Sequence, residues 1–259
     1  MHKVTFPLVL ALLTHTAAHA QNTYAVVVGV SDYEIMDYKT GDLNYADSDA
    51  GQFVAFLQSP AGGRVPTQNI IKLTNQRATQ ANIKDGMQIF GQATPQDRIV
   101  FYFSGHGLQQ AFVPYDVRQN NYASLLTHAE VKAAFKASAA STKLIIADAC
   151  MSGSMRSRQA PTLKTTAKAF GDLNVAMILS SRSTQTSAET TNVRGGIFTF
   201  YLLAGLKGSA DTNSDRAVTI KELYKYVARR VKRSTPNGQA PVFAGKFSDD
   251  LILSTLKQL

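Results

Sequence analysis

The residues of this chain best suited to nucleophilic chemistry are its single cysteine, Cys150, and a histidine set among glycines, His106. The cysteine sits in Asp148-Ala149-Cys150-Met151-Ser152-Gly153 and the histidine in Ser104-Gly105-His106-Gly107. A thiolate attacks an acyl carbon, and a neighbouring imidazole favours the thiolate and later protonates a leaving amine. Glycines beside each residue allow sharp turns and close approach of substrate, and the amides of Gly107 and Cys150 could donate to a developing oxyanion. Taken alone, Cys150 reads as a small buried hydrophobe and His106 as a core histidine. Together, each directly after an apolar run, they read as a pair. With one cysteine, no intramolecular disulfide can form.

The elements that must position them follow from apolar periodicity. Residues 24–30 (YAVVVGV), 69–73, 98–103 (RIVFYF), 143–147 (KLIIA) and 175–179 (VAMIL) are short apolar runs of the kind that form strands buried on both faces. Between them, helical spacing is expected over 45–57, from a Thr79 cap to about 90, and over 127–136. Further helices are expected over 197–206 and 219–233, with short extended pieces near Val242 and Leu251. Regular alternation of strand and helix predicts an α/β sandwich with a mostly parallel sheet and helices on both faces. Ligands of such sheets gather beyond the carboxyl ends of the strands. His106 and Cys150 both stand there, and neighbouring strands would bring them within reach of each other.

Composition bounds the rest. The 259 residues are 44% apolar, enough for one sizeable core. Met-His-Lys, the apolar run 4–13 and Ala18-His19-Ala20 have the layout of a secretory signal peptide, so cleavage near Ala20 is expected. That divides the chain into a leader, 1–20, and one domain, 21–259, exported to the periplasm or beyond. No later segment has the roughly 20 apolar residues of a membrane span. The formal charge is +9, but the basic residues are spread along the chain, with modest clusters at 156–168 and 229–233 and no tryptophan for a stacking platform. A solvated basic face is the expected meaning, not nucleic-acid binding.

The segments YAVVVGVSDY, LNYADSDA, IVFYFSGHG, KLIIADACMSG and GGIFTFYLLAGLKG, in that order, resemble the caspase-like cysteine peptidases, in particular bacterial metacaspase-like or orthocaspase members. The likeness covers most of residues 24–245, and SGHG followed about 44 residues later by DACxSG is its most specific part. It implies a three-layer caspase-like sandwich and a Cys-His dyad of His106 and Cys150. It also implies a pocket for basic side chains lined by Asp148, Asp49 and Ser104, with Asp47 a rival to Asp49. Two carboxylates there argue for cleavage after Arg or Lys. Many metacaspases carry histidine directly after the nucleophile, where this chain has Met151. Alternatives on the same scaffold are a catalytically silent binding domain and a thiol acyl-transfer enzyme of other specificity.

The polar stretch 152–170 falls where caspase relatives are often cut in two, and Arg156, Arg158, Lys164 and Lys168 would suit self-cleavage by a basic-specific enzyme. Asp211, Asn213, Asp215, Thr219 and Glu222 have the spacing of a calcium loop, and some metacaspases need calcium. Arg216 stands where such a loop has glycine, and the same residues read as an acidic turn leading into a capping box of Thr219 with Glu222. The chemistry itself needs no cofactor.

Overall fold

A computed structural model of the chain describes residues 21–36, 41–108, 110–149, 175–180, 189–190, 195–235 and 241–256. The first half alternates as expected: β1 (Thr23–Gly29), α1 (Ala46–Gln58), β2 (Ile70–Thr74), α2 (Gln80–Gly86) and β3 (Arg98–Gly105). A small antiparallel sheet follows, of β4 (Gly107–Leu108), β5 (Ala111–Phe112) and β6 (Leu126–Thr127), then α3 (His128–Ala137), β7 (Thr142–Ala149) and β8 (Val175–Leu179). Short strands β9 (Glu189–Thr190) and β10 (Gly195–Gly196) pair with each other and lead into α4 (Ile197–Ala204). The chain closes with β11 (Ala217–Thr219), α5 (Ile220–Ser234), β12 (Val242–Gly245) and β13 (Ile252–Thr255).

The central sheet has the order β12-β8-β7-β3-β1-β2. The four pairings among β8, β7, β3, β1 and β2 run parallel, and β12 adds an antiparallel edge. Parallel strands need covered faces, and both are covered. One face, with Val26, Val28, Phe101, Phe103, Ile145 and Ala147, packs under Ile83 of α2, the 3₁₀ turn Met87–Gln92, and α3. The other, with Val27, Val100, Tyr102, Leu144 and Ile146, packs under α1, α4 and α5. There Phe53 of α1 stacks on Tyr102 with ring centres 4.4 Å apart. Each fully buried side chain of this size contributes about 1.5–3 kcal/mol by leaving water.

Helix starts obey local rules. Thr79 accepts a hydrogen bond from the Asn82 N–H, and Thr127 with Glu130 and Thr219 with Glu222 form capping boxes. α2 is shorter than its apolar spacing suggests, because Gly86 ends it and a 3₁₀ turn carries Met87, Ile89 and Phe90 into the core. The small sheet of β4 to β6 is absent from the expectation, since two-residue strands leave no periodicity to read. Among the described residues, no helix is long and apolar enough to cross a membrane.

Candidate active site

β3 and β7 are neighbours, and their register pairs Ser104 with Asp148 and Gly105 with Ala149. The next residue along the chain is His106 after the first strand and Cys150 after the second. Cys150, Met151 and the stretch 152–170 lie outside the described residues.

His106 is half-buried and held at three points. Its backbone N–H donates to the Tyr33 hydroxyl at 2.7 Å, and its ring lies 5.1 Å from the Tyr33 ring at a tilt of 31°. Its Nε2 bonds the carbonyl oxygen of Gly41 at 2.5 Å. A carbonyl only accepts, so Nε2 carries the proton in this contact. Gly105 makes the packing possible: a Cβ there would stand 2.9 Å from both the Tyr33 hydroxyl and the Phe103 ring.

The loop that presents Gly41 is tied to the neighbouring elements. Asn75 Oδ1 accepts the backbone N–H groups of Ser31 and Asp32, and Asn75 Nδ2 donates to Asp47. Asp47 also accepts from the Ser31 hydroxyl at 2.7 Å, Leu43 N–H donates to the Ser31 carbonyl, and Tyr33 N–H donates to Asp42. This separates the two rival acids. Asp47 serves the loop, whereas Asp49, two residues further into α1 and so about half a turn around it, faces the sheet.

Asp49, Ser104 and Asp148 come together beneath α1 and α4, and all three are fully buried. Alternation along β3 and β7 sends Ser104 and Asp148 to the same face as Tyr102 and Ile146. Ser104 Oγ donates to Asp49 at 3.3 Å, and the Gly196 N–H, at the start of α4, donates to the same carboxylate at 3.1 Å. Thr199 Oγ1 donates to Asp148 at 3.1 Å. Since that hydroxyl has one proton, its oxygen accepts from Tyr102, 2.8 Å away. Burial, and then the charges of Asp49 and Asp148, hold the Tyr102 phenol well above its usual range, so it stays a neutral donor.

Gly107 begins β4. The Val113 N–H donates to the His106 carbonyl at 3.0 Å, which points that carbonyl toward β5. Antiparallel alternation then makes Gly107 and Phe112 a non-hydrogen-bonded pair, and the Gly107 N–H points away from β5. An amide so directed suits an oxyanion donor.

The acidic turn before β11 is occupied by its own backbone. Asp211 accepts from Arg216 N–H, Asn213 from Asp215 N–H, and Asp215 from Ala217 N–H. Glu222 spends one oxygen on Thr212 and the other on the Thr219 cap. One oxygen of Asp211 has no hydrogen-bond partner. Among the described residues, no group of three or more His, Cys, Asp or Glu is placed to hold a metal ion.

Comparison with known proteins decides the family, because a family model described as the caspase domain matches residues 22–252. This chain belongs to the caspase-domain family. Members are generally cysteine peptidases, which act on polypeptides. The caspase domain also matches a protein of Geobacter sulfurreducens known from its crystal structure. The TM-score is 0.62 and the identity 20%, over 91% of this chain and the whole of that one. At that identity the likeness speaks for the fold. No curated protein sequence matches.

Several participants carry little sequence signal. Tyr102 and Thr199 were visible only as hydroxyls in apolar stretches, and Gly41 and Gly196 donate or accept through the backbone, which residue type does not reveal. Tyr33 lies in the segment YAVVVGVSDY but meets His106 across 73 positions.

Proposed function

We propose that this caspase-domain protein is a cysteine endopeptidase that hydrolyses peptide bonds after Arg or Lys, with Cys150 as nucleophile and His106 as general base. The register of Gly105 with Ala149 carries the reading, since it starts His106 and Cys150 from adjacent positions on adjacent strands. Nδ1 of His106 takes the thiol proton, and the thiolate sulfur attacks the scissile carbonyl carbon. The oxyanion is met by the Gly107 and Cys150 amides. Collapse of this adduct breaks the C–N bond, and the imidazolium returns its proton to the departing amine, leaving a thioester. Water, deprotonated by the same Nδ1, then hydrolyses the thioester and restores the thiol.

The specificity rests on Asp49, Asp148 and Ser104. Two carboxylates in one buried pocket attract a cationic side chain in a setting where charge pairing counts for more than in water. In the same reading, residues 1–20 are a leader removed after Ala20, and the enzyme works outside the cytoplasm; N-terminal sequencing of secreted protein tests this. Cleavage within 154–170 by the enzyme itself is tested by the masses of the wild type and Cys150→Ala, since identical intact masses remove it.

One assay tests the core of the proposal. Wild type and Cys150→Ala are given fluorogenic peptides ending in Arg, Lys, Asp or Asn, with and without calcium. Release after Arg or Lys by the wild type alone is expected. Equal signals from both proteins would sink the enzyme, and a preference for Asp would sink the acidic pocket while sparing the dyad. A calcium requirement would call for substitution of Asp211, Asp215 and Glu222 to find whether that turn holds the ion.

A further inference from the structure

α5 carries six basic residues and one acid within its 15 positions. Its apolar face, Ile220, Leu223, Tyr226, Val227 and Val231, is buried against the core. Lys225, Arg229, Lys232 and Arg233, spaced i, i+4, i+7 and i+8, form one exposed stripe. None of the four makes an ion pair among the described residues, whereas Lys221, at the start of the helix, pairs with Asp249 at 3.0 Å. Cations in a last turn complement the helix dipole, which accounts for Lys232 and Arg233. It does not account for Lys225 and Arg229, which repel each other and their neighbours at one-turn spacing.

The direction of α5 gives the stripe its meaning. The helix starts near the amino ends of the strands: Ile220 N–H bonds the Leu251 carbonyl, and Arg98, first residue of β3, donates to the carbonyls of Ile252 and Leu253. It ends at the opposite edge, where the Ser234 hydroxyl bonds the Tyr201 hydroxyl at 2.8 Å. Tyr201 is two residues beyond Thr199, the partner of Asp148. The basic stripe therefore rises toward the sheet edge that holds the acidic pocket and His106.

We propose that the stripe Lys225, Arg229, Lys232 and Arg233 is a docking surface for an acidic stretch of the polypeptide substrate, flanking the basic residue held in the pocket. The inference rests on the peptidase reading for the identity of its partner. A substrate seated in the pocket must continue along this edge, so a polypeptide is the polyanion brought here by the chemistry. A lipid surface fits less well, because the apolar face of α5 is spent in the core and leaves nothing to insert. The site thus selects by opposite charges: a cation in the pocket and anions beside it.

The test compares two peptide series that share one Arg, one series flanked by four to six Asp or Glu and the other by Ser and Gly. Wild type is compared with a variant carrying Lys225→Gln, Arg229→Gln, Lys232→Gln and Arg233→Gln. At low salt the wild type should favour the acidic series in kcat/KM by about tenfold, through KM, and lose the preference at high salt. The variant should treat both series alike, with unchanged turnover of the neutral one. No preference in the wild type, or a preference that survives in the variant, overturns the proposal. Fluorescence anisotropy of the same peptides on Cys150→Ala reads the stripe without catalysis, so an inactive wild type would sink the peptidase and leave this surface testable. An oligonucleotide of equal charge that binds Cys150→Ala more tightly than the acidic peptide would overturn the polypeptide assignment.

Discussion

Gly105 of β3 and Ala149 of β7 are partners in the parallel register, so the chain leaves two adjacent strands side by side, with His106 next on one and Cys150 next on the other.

His106→Ala should lower kcat/KM toward Arg peptides by about a thousandfold, the span typical of a positioned general base. Cys150→Ala should remove activity altogether. Thermal melts recorded beside the kinetics separate chemistry from folding, and a His106→Ala protein keeping more than a tenth of wild-type turnover would eliminate the dyad.

Tyr33→Phe keeps the ring against His106 but removes the acceptor of its backbone N–H. A buried donor left without a partner costs about 1–3 kcal/mol. Denaturant unfolding should register that loss, and kcat should fall while KM holds, because the hydroxyl positions the histidine without touching substrate. A KM effect alone would contradict this role.

Asp148→Asn and Asp49→Asn preserve shape and remove charge. Hydrogen bonds to charged groups are worth about 1.5–3 kcal/mol, so kcat/KM for Arg and Lys peptides should drop about 10- to 150-fold. Isothermal unfolding should show both variants at least as stable as wild type. Unchanged selectivity in both would remove the pocket assignment.

Gly29→Ala tests the seat of α1. A Cβ at Gly29 would stand 2.3 Å from the Ala46 carbonyl oxygen and 2.7 Å from the Ala50 Cβ, so the helix must move. Overpacking of this kind costs about 1–3 kcal/mol. Because α1 carries Asp49, selectivity for basic peptides should weaken with stability; a variant with unaltered melting and selectivity would show that α1 has freedom to shift.

His128 gives a pH signature. It is 2% exposed, beside Phe112, and burial pushes its pKa down to about 4. The unfolded chain therefore binds a proton that the folded protein refuses between pH 6.5 and 4, and stability falls as pH falls through that window. The full loss is about 3 kcal/mol. Urea unfolding at pH 7 and pH 5 should show about 2 kcal/mol of it, and His128→Gln should flatten the dependence; equal slopes in both proteins would assign the effect elsewhere.

Much of this architecture was legible locally. The runs 98–103 and 143–147 are apolar without alternation, which marks strands buried on both faces wherever they fall in the sheet. Thr79, Thr127 and Thr219 announce helix starts because a cap and its N–H partner lie three residues apart. The glycines and hydroxyls around His106 and Cys150 also stand next to those residues in sequence. Interactions of this range depend on a few consecutive side chains, so the sequence by itself determined the elements, their alternation and the residues offered for chemistry.

Partner choice over long separations belongs to the tertiary structure. The order β12-β8-β7-β3-β1-β2 sets β3 beside β7, and no local pattern specifies that neighbour. Asp47 and Asp49 are equivalent as helix first-turn acids, and only the docking of α1 sends one to the Ser31 loop and the other to Ser104 and Gly196. Gly41 reaches His106 across 65 positions, and Tyr102 reaches Thr199 across 97. Such contacts form only when burial of both sheet faces has closed the intervening chain, and that collective packing decided which of the available groups became a site.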